Sequence, residues 1–239
     1  MATAKPMKLI LSTRNGHKVG EIRELLPTDF QFWTLADFPG APQVVEDART
    51  FAGNASKKAV ELAEWLADRP EVRDSNAPSA DAGVYVLADD SGLEVDALAG
   101  EPGVHSARFA ALDSGDSGNS PDRDNNDKLL RLLQEIPWEK RTARFRCVIA
   151  LAPVPRLSPK NGSPVCSLRE TELLVELFDG ACEGRIGFAP EGTAGFGYDP
   201  LFIPEGFEQT FAELGADEKN QISHRAKALE KLRKRFRSG

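Results

Sequence analysis

The passage that most restricts how this chain can fold is Val84-Tyr85-Val86-Leu87-Ala88, followed at once by Asp89-Asp90-Ser91-Gly92-Leu93. The apolar run predicts a buried strand of about five residues. It breaks off at two adjacent carboxylates, a hydroxyl and a glycine. In an open α/β sheet the strand ends are where ligands bind. Neighbouring carboxylates there repel one another unless a cation or a shared proton lies between them. Hard oxygen donors of this kind suit magnesium, which takes one or two carboxylates and leaves its other positions to water and phosphate. The same four residue types also build turns, so the passage alone leaves both readings open.

The flanking segments predict an α/β protein. Leu9 to Ser12 reads as a short strand, Thr13 to Lys18 as a polar turn, and Val19 to Leu26 as an amphipathic helix stopped by Pro27. A strand, turn and helix in this order aim backbone N–H groups and a helix N-terminus at an anion, and Lys18 adds a point charge. The GxxxxGK[ST] pattern of a Walker loop is absent. Phe30 to Thr34 predicts a second strand, and Thr50 caps a helix from Phe51 to about Ala67 with Ala55, Ala59, Leu62 and Leu66 on one face. Further on, Asn125 or Asn126 is expected to cap a helix over Asp127–Glu135. Ala143 to Leu151 reads as a strong strand, and Glu172–Phe178 with Cys182–Ile186 as a hairpin system. Segments 69–83, 112–124 and 153–166 lack periodicity and read as flexible surface loops.

A second unusual passage is Gly195-Phe196-Gly197-Tyr198-Asp199-Pro200. Its glycines allow backbone to approach a flat ligand, and Phe196 or Tyr198 could stack on it. Lys219, His224 and Arg225 gather donors about the start of a last helix, which runs from Ser223 to about Arg235.

Composition narrows the class. Among 239 residues, 30 Lys and Arg face 37 Asp and Glu, a net charge of −7 that argues against general nucleic-acid binding. Cys147, Cys166 and Cys182 have no CxxC spacing and are too few for a disulfide framework, which favours a reducing compartment. No stretch reaches eighteen apolar residues and the start lacks a long apolar leader, so a cytoplasmic protein without a membrane span is expected.

Taken together, Thr13-x-Asn15-x-x-Lys18, Ala88-Asp89-Asp90-Ser91-Gly92-Leu93 and Gly195-Phe196-Gly197-Tyr198-Asp199-Pro200 with Lys219 and Ser223-His224-Arg225 resemble the Ham1-like inosine triphosphate pyrophosphatases. Pro102-Gly103-x-x-Ser106-Ala107-Arg108 and Arg144-Phe145-x-Cys147-Val148 support the match, which spans about residues 8–230. The resemblance implies a mixed, elongated α/β sheet flanked by helices, a single domain of two lobes around a substrate cleft, and a homodimer. It implies Mg²⁺-dependent hydrolysis of ITP, dITP and XTP to the monophosphate and pyrophosphate. Asp90 would be the general base, and Asp90 and Asp89 would form the metal site, Asp89 also supporting it electrostatically. Thr13, Arg14, Asn15, Gly16, His17 and Lys18 would hold the triphosphate from the first turn, with Ser91 adding a hydroxyl. Phe196 would stack on the purine, Gly197 and Tyr198 would shape the slot, and Asp199 would read the base edge. Lys219, His224 and Arg225 would close the base pocket. One position departs from the pattern: Gly53 stands where the family carries a metal-site carboxylate. The metal could rely on Asp89, Asp90, water and substrate, Glu46 or Asp47 could substitute, metal affinity could be reduced, or the site could bind nucleotide without catalysis. A related pyrophosphatase with another base preference is the further alternative.

Overall fold

The computed structural model describes residues 7–26, 30–69, 72, 83–113, 115, 118–155 and 173–237. Six strands form one sheet in the order β2-β1-β3-β4-β5-β6. β1 (Met7–Leu11) lies parallel to both β2 (Phe30–Thr34) and β3 (Val84–Val95). β4 (Thr142–Pro153), β5 (Glu176–Ile186) and β6 (Phe202–Pro204) continue the sheet antiparallel. The α-helices include α1 (Gly16–Leu25), α2 (Phe51–Leu66), α3 (Asp122–Leu132), α4 (Phe211–Ile222) and α5 (His224–Arg237). The mixed sheet with flanking helices is the α/β class expected from the sequence.

The expected strand of about five residues is a continuous strand of 12, and the carboxylates sit in its middle. The reason is β4, which pairs with β3 from Tyr85↔Pro153 to Val95↔Ala143 and carries the ladder straight through Asp89↔Ile149 and Asp90↔Val148. What stops beside the carboxylates is β1. Its last pair is Leu11↔Leu87, and the Ser12 amide closes the ladder on the Leu87 carbonyl at 2.8 Å. The strand end that marks the site therefore belongs to the neighbour.

Because side chains alternate across a strand, the sheet has two differently clothed faces. Val84, Val86 and Ala88 pack with Ile10, Val148, Ala150 and the apolar stripe of α2, including Ala55, Ala59, Leu62 and Leu66. Leu87 packs on the opposite face with Leu9, Leu11, Cys147, Ile149, Ile22 of α1 and Leu229 and Leu232 of α5. A third cluster surrounds the far end of the sheet, joining Leu93, Phe145, Phe202, Phe211, Tyr198 and Leu129.

Several local expectations need correction. α3 begins at Asp122, inside the segment read as a loop, and Asn125 and Asn126 lie within the helix. They are not caps, since their amides reach out to the chain around them: Asn125 Oδ1 accepts from the Ala110 amide at 2.8 Å, and Asn126 Nδ2 donates to the Gly197 carbonyl at 3.0 Å. Glu176–Ile186 is one strand, not two hairpin arms, because β4 pairs with it without a break. A helix over Phe211–Ile222 was not foreseen; it is capped by Thr210, which accepts from the Glu213 amide, and is interrupted at Gly215 (φ 79°). Of the expected loops, most of 69–83 and 153–166 and part of 112–124 lie outside the described residues, as do Pro27, Cys166 and Glu172.

Two glycines permit close approaches that no other residue would. A Cβ on Gly92 in β3 would lie 2.4 Å from Ser106 Oγ and 2.5 Å from the Gly103 carbonyl oxygen. That hydroxyl donates to Gly103 O at 2.6 Å and accepts from the Leu93 amide at 2.9 Å. A Cβ on Gly180 in β5 would lie 2.1 Å from the His224 carbonyl oxygen, so this glycine lets α5 settle against the sheet.

Candidate active site

The first turn is built by Asn15. Its Oδ1 caps α1, accepting from the His17 amide at 2.9 Å and the Lys18 amide at 3.2 Å, while the Asn15 amide donates to Thr13 Oγ1 at 3.1 Å. Asx capping of this kind satisfies two of the orphan N–H groups of a helix start. Gly16 is the first helical residue, and a Cβ there would meet nothing within 4 Å. Arg14 points away, donating to the Ala41 carbonyl at 3.3 Å.

Successive residues of β3 send the two carboxylates to opposite faces. Asp89 faces α1 and α5, buried, with Lys18 Nζ at 2.5 Å, Arg225 Nε at 3.0 Å and Ser91 Oγ at 3.0 Å. Burial works to raise its pKa, but Arg225 and Lys18 prevail and hold it well below the usual carboxylate range. The Arg225 guanidinium also donates to Ser91 Oγ at 2.9 Å and pairs with Glu21 of α1. Glu21 in turn pairs with Lys219 at 2.9 Å, and Lys219 with Asp199 at 2.6 Å. Lys18, Lys219 and Arg225 thus alternate with Asp89, Glu21 and Asp199 in one balanced ionic chain.

Asp90 faces α2. Asn54 Nδ2 donates to its Oδ2 at 3.1 Å, and Lys58 Nζ lies 3.3 Å from its Oδ1. The same ammonium donates to the Asp89 carbonyl at 2.7 Å and to Glu46 Oε2 at 3.1 Å. Lys58 is buried. Among the described residues, Lys58 is the only cation ion-paired with these two carboxylates. Burial raises the Asp90 pKa, Lys58 and then Lys18 oppose that, and the nearby Glu46 adds to it. This face is short of positive charge, and the other is not. The oxygen donors of Asp90 and Glu46 therefore fit a hard divalent cation. Gly53 does not: a Cβ there would stand 2.8 Å from Ala48 Cβ, so the 46–48 loop fills the space a longer residue would need.

On the α1/α5 side a pocket of about 120 Å³ is lined by Asn15, Lys18, Ser91, Phe196, Gly197, Tyr198, Asp199, His224 and Arg225 among others. The structure thus gathers nine of the sequence-selected residues around one cavity. Thr13, Arg14, Gly16, His17 and Lys219 lie outside its lining, as do Asp89 and Asp90. Asp199 does not project into it as a free base reader: its Oδ2 accepts from the Phe196 amide at 2.9 Å and from Lys219. Tyr198 is buried and donates its hydroxyl to the Ser106 carbonyl at 2.9 Å. His224 is fully enclosed and stacks on Phe145 at 4.9 Å. Burial, together with Arg225 and Lys219, holds its pKa well below 6.5, so the ring is neutral. Its Nδ1 has no hydrogen-bond partner among the described residues. A larger cleft of about 490 Å³ at the far end of the sheet, lined by Trp138, Arg144, Glu183 and Phe207, holds none of the selected residues.

Sequence reasoning did not single out Glu21, Asn54 or Asp122. Asp122 Oδ2 receives the Gly197 amide at 2.6 Å and pins the Phe196 loop. A signal for Glu21 was present, since it follows Lys18 by three residues and so shares its helix face.

Known proteins resemble this chain along nearly its whole length. A dITP/XTP pyrophosphatase of Desulforamulus reducens is 46% identical over 226 residues, covering 94% of this chain and 93% of the relative. One of Geobacillus kaustophilus is 43% identical, with 94% and 92% covered. Among solved structures, a HAM1 protein from Coxiella burnetii superimposes with a TM-score of 0.73 at 32% identity, covering 98% of this chain and 100% of that one. The Staphylococcus aureus Ham1 protein gives 0.71 at 30% identity, with 97% and 98% covered. The model of the Ham1 family matches residues 9–235, and the chain belongs to that family.

Proposed function

We propose that this chain hydrolyses ITP, dITP and XTP to the nucleoside monophosphate and pyrophosphate, clearing aberrant purine nucleotides from the precursor pool. The names of its relatives support the reaction class. The observation that carries it is a single cavity joining the capped first turn, with Lys18, to the Phe196 loop and the buried, neutral His224. A triphosphate and a flat base need those two ends at once.

Attack of water on the α-phosphorus, with pyrophosphate leaving, adds charge to oxygens already anionic, so positioning and electrostatics carry the catalysis. Asp90 is the general base. Burial raises its pKa above the ordinary carboxylate value, which makes it a stronger proton acceptor. Lys58 orients Asp90, and Asn54 fixes its second oxygen. Lys18 leaves Asp89 for the phosphates, the ion pair with Arg225 keeping Asp89 satisfied in the meantime. Thr13, Asn15, Gly16 and Ser91 complete the phosphate side, while Arg14 is turned toward the Ala41 carbonyl. Phe196 supports the purine, and Gly197, Tyr198 and Asp199 hold the slot open. His224 Nδ1, desolvated and without a partner among the described residues, is the ready partner of the base edge; Lys219 and Arg225 fix the ring around it. Mismatched polar groups in such a pocket discriminate by about 10⁴-fold in favourable cases, which separates 6-keto purines from adenine.

Mg²⁺ is the cofactor we infer, held by Asp90 and Glu46, and it would neutralise phosphate charge when bound; Asp89, expected beside the metal, instead faces the other side of β3 with Lys18 and Arg225 and is left out of that set. Glu46 takes the place of the carboxylate missing at Gly53. We further infer a single two-lobed domain, acting as a cytoplasmic homodimer.

The test is pyrophosphate release from ITP, XTP, dITP, ATP and GTP, with and without Mg²⁺, on the wild type and Asp90→Asn. Expected are preference for the 6-keto, deaminated substrates, dependence on Mg²⁺, and a loss of at least about 10²-fold in the variant. Binding of ITP without any release would overturn the enzyme reading and make Gly53 the mark of a binding protein.

A further inference from the structure

We propose that His17 is the second wall of the base slot, so that the purine is held between the His17 imidazole and the Phe196 ring. The inference rests on the reading of the pocket given above and adds to it a residue that sets base affinity.

The two rings approach from opposite sides of the cleft. His17 sits at the start of α1, in the phosphate turn, and Phe196 on the glycine-rich loop between Gly195 (φ 79°) and Gly197 (φ 63°). Their centroids are 5.1 Å apart and their planes 14° from parallel. A flat base requires that near-parallel geometry on both of its faces, and an edge-on pair would not offer it.

The cavity beneath, about 120 Å³, is small beside the roughly 300–1,000 Å³ of ordinary ligand pockets. Something must open for a nucleotide to enter, and the structure indicates what. Both backbones are tied down. The His17 amide is held by the Asn15 cap at 2.9 Å, and the Phe196 amide by Asp199 at 2.9 Å, with Gly197 fastened to Asp122 and Asn126. Lys219 also lies against Phe196, with Nζ 4.7 Å from the ring centroid, but two carboxylates anchor it. His17 is exposed, and among the described residues its imidazole is held by the ring contact alone. Rotation of that side chain is the motion with least to break. A purine sliding in replaces one ring contact with two.

Stacking tolerates any base, since every base has a π face. His17 therefore sets affinity for the base and favours the larger purine, while the hydrogen bonds of the pocket choose among purines.

The test compares wild type, His17→Ala and His17→Phe. Pyrophosphate release from ITP gives kcat and KM, calorimetry gives the affinity for inosine monophosphate, and inhibition by inorganic tripolyphosphate reports the phosphate side alone. Removing the ring is expected to raise KM for ITP and weaken inosine monophosphate about tenfold, with kcat within about twofold. Inhibition by tripolyphosphate should stay the same, and Phe should restore the loss. Equal weakening of tripolyphosphate would make His17 a phosphate contact and overturn the proposal. So would tighter binding by His17→Ala, which would make it only an obstruction, or no change at all. If the wild type releases no pyrophosphate yet His17→Ala still weakens inosine monophosphate, the pyrophosphatase reading fails and the stacking role stands.

Discussion

Replacing Arg225 by Met removes the cation at the centre of the ionic chain while keeping most of the side-chain volume. The guanidinium is 1% exposed and donates to Asp89 Oδ2 at 3.0 Å, to Ser91 Oγ at 2.9 Å and to Glu21. Charge-assisted bonds contribute about 1.5–3 kcal/mol each, but they do not simply add here. Asp89 keeps Lys18 at 2.5 Å and Ser91 at 3.0 Å, and Glu21 keeps Lys219 at 2.9 Å. The loss therefore falls at the lower end of the roughly 3–5 kcal/mol seen when one partner of a buried pair is removed. About 3 kcal/mol, with an m-value near 3 kcal/mol/M, lowers the urea midpoint by about 1 M. The assay is urea unfolding of wild type, Arg225→Met, Asp89→Asn and the double variant, without nucleotide. Much of the cost reflects a stranded Asp89 charge, so the double variant should recover at least about 1.5 kcal/mol over the sum of the singles. Additivity within about 0.5 kcal/mol would refute the reasoning and reduce Arg225 to a packing residue.

Two further outcomes are expected. Gly180→Ala drives a methyl into the His224 carbonyl, 2.1 Å away, and into the Ala228 amide at 2.7 Å; α5 must lift from β5, and calorimetric or urea unfolding should show a loss of about 2–3 kcal/mol. His224 is held neutral well below 6.5, so as pH falls the unfolded chain takes up a proton that the native state refuses, and stability declines. Between about pH 7.5 and 5.5 the wild type should lose on the order of 1 kcal/mol more than His224→Phe, which keeps the stack on Phe145, and parallel stability curves would show that the ring titrates normally.

Much of this architecture could be read from the residues. The α2 stripe of Ala55, Ala59, Leu62 and Leu66 is fully buried, and Phe30–Thr34 is a strand with the expected bounds, because period and length agree in both. The extent of β3 was hidden because polar residues normally end strands, and nothing local reveals that Lys18, Arg225 and Lys58, distant in sequence, satisfy them. The asparagines of α3 misled for a related reason: Asn favours caps locally, but here its amides serve tertiary contacts. The site residues could be listed from motifs. Their sidedness could not, because it follows from a ladder that only the partner strand defines. Asp199 and Arg225 illustrate the difference, since each is in the pocket wall yet its charge is committed to a neighbour.

That sidedness is guarded by Gly92. A strand shifted by one residue turns every side chain to the other face. In β3 such a slip would bring Ser91 or Leu93 under Ser106 and the Gly103 carbonyl, where even a Cβ would stand at 2.4 and 2.5 Å. The bare glycine works as the notch of a key, accepting one frame of the strand and rejecting its neighbours. A missing methyl group, on a residue with no charge of its own, thereby decides which aspartate meets a guanidinium and which meets Lys58 and Asn54.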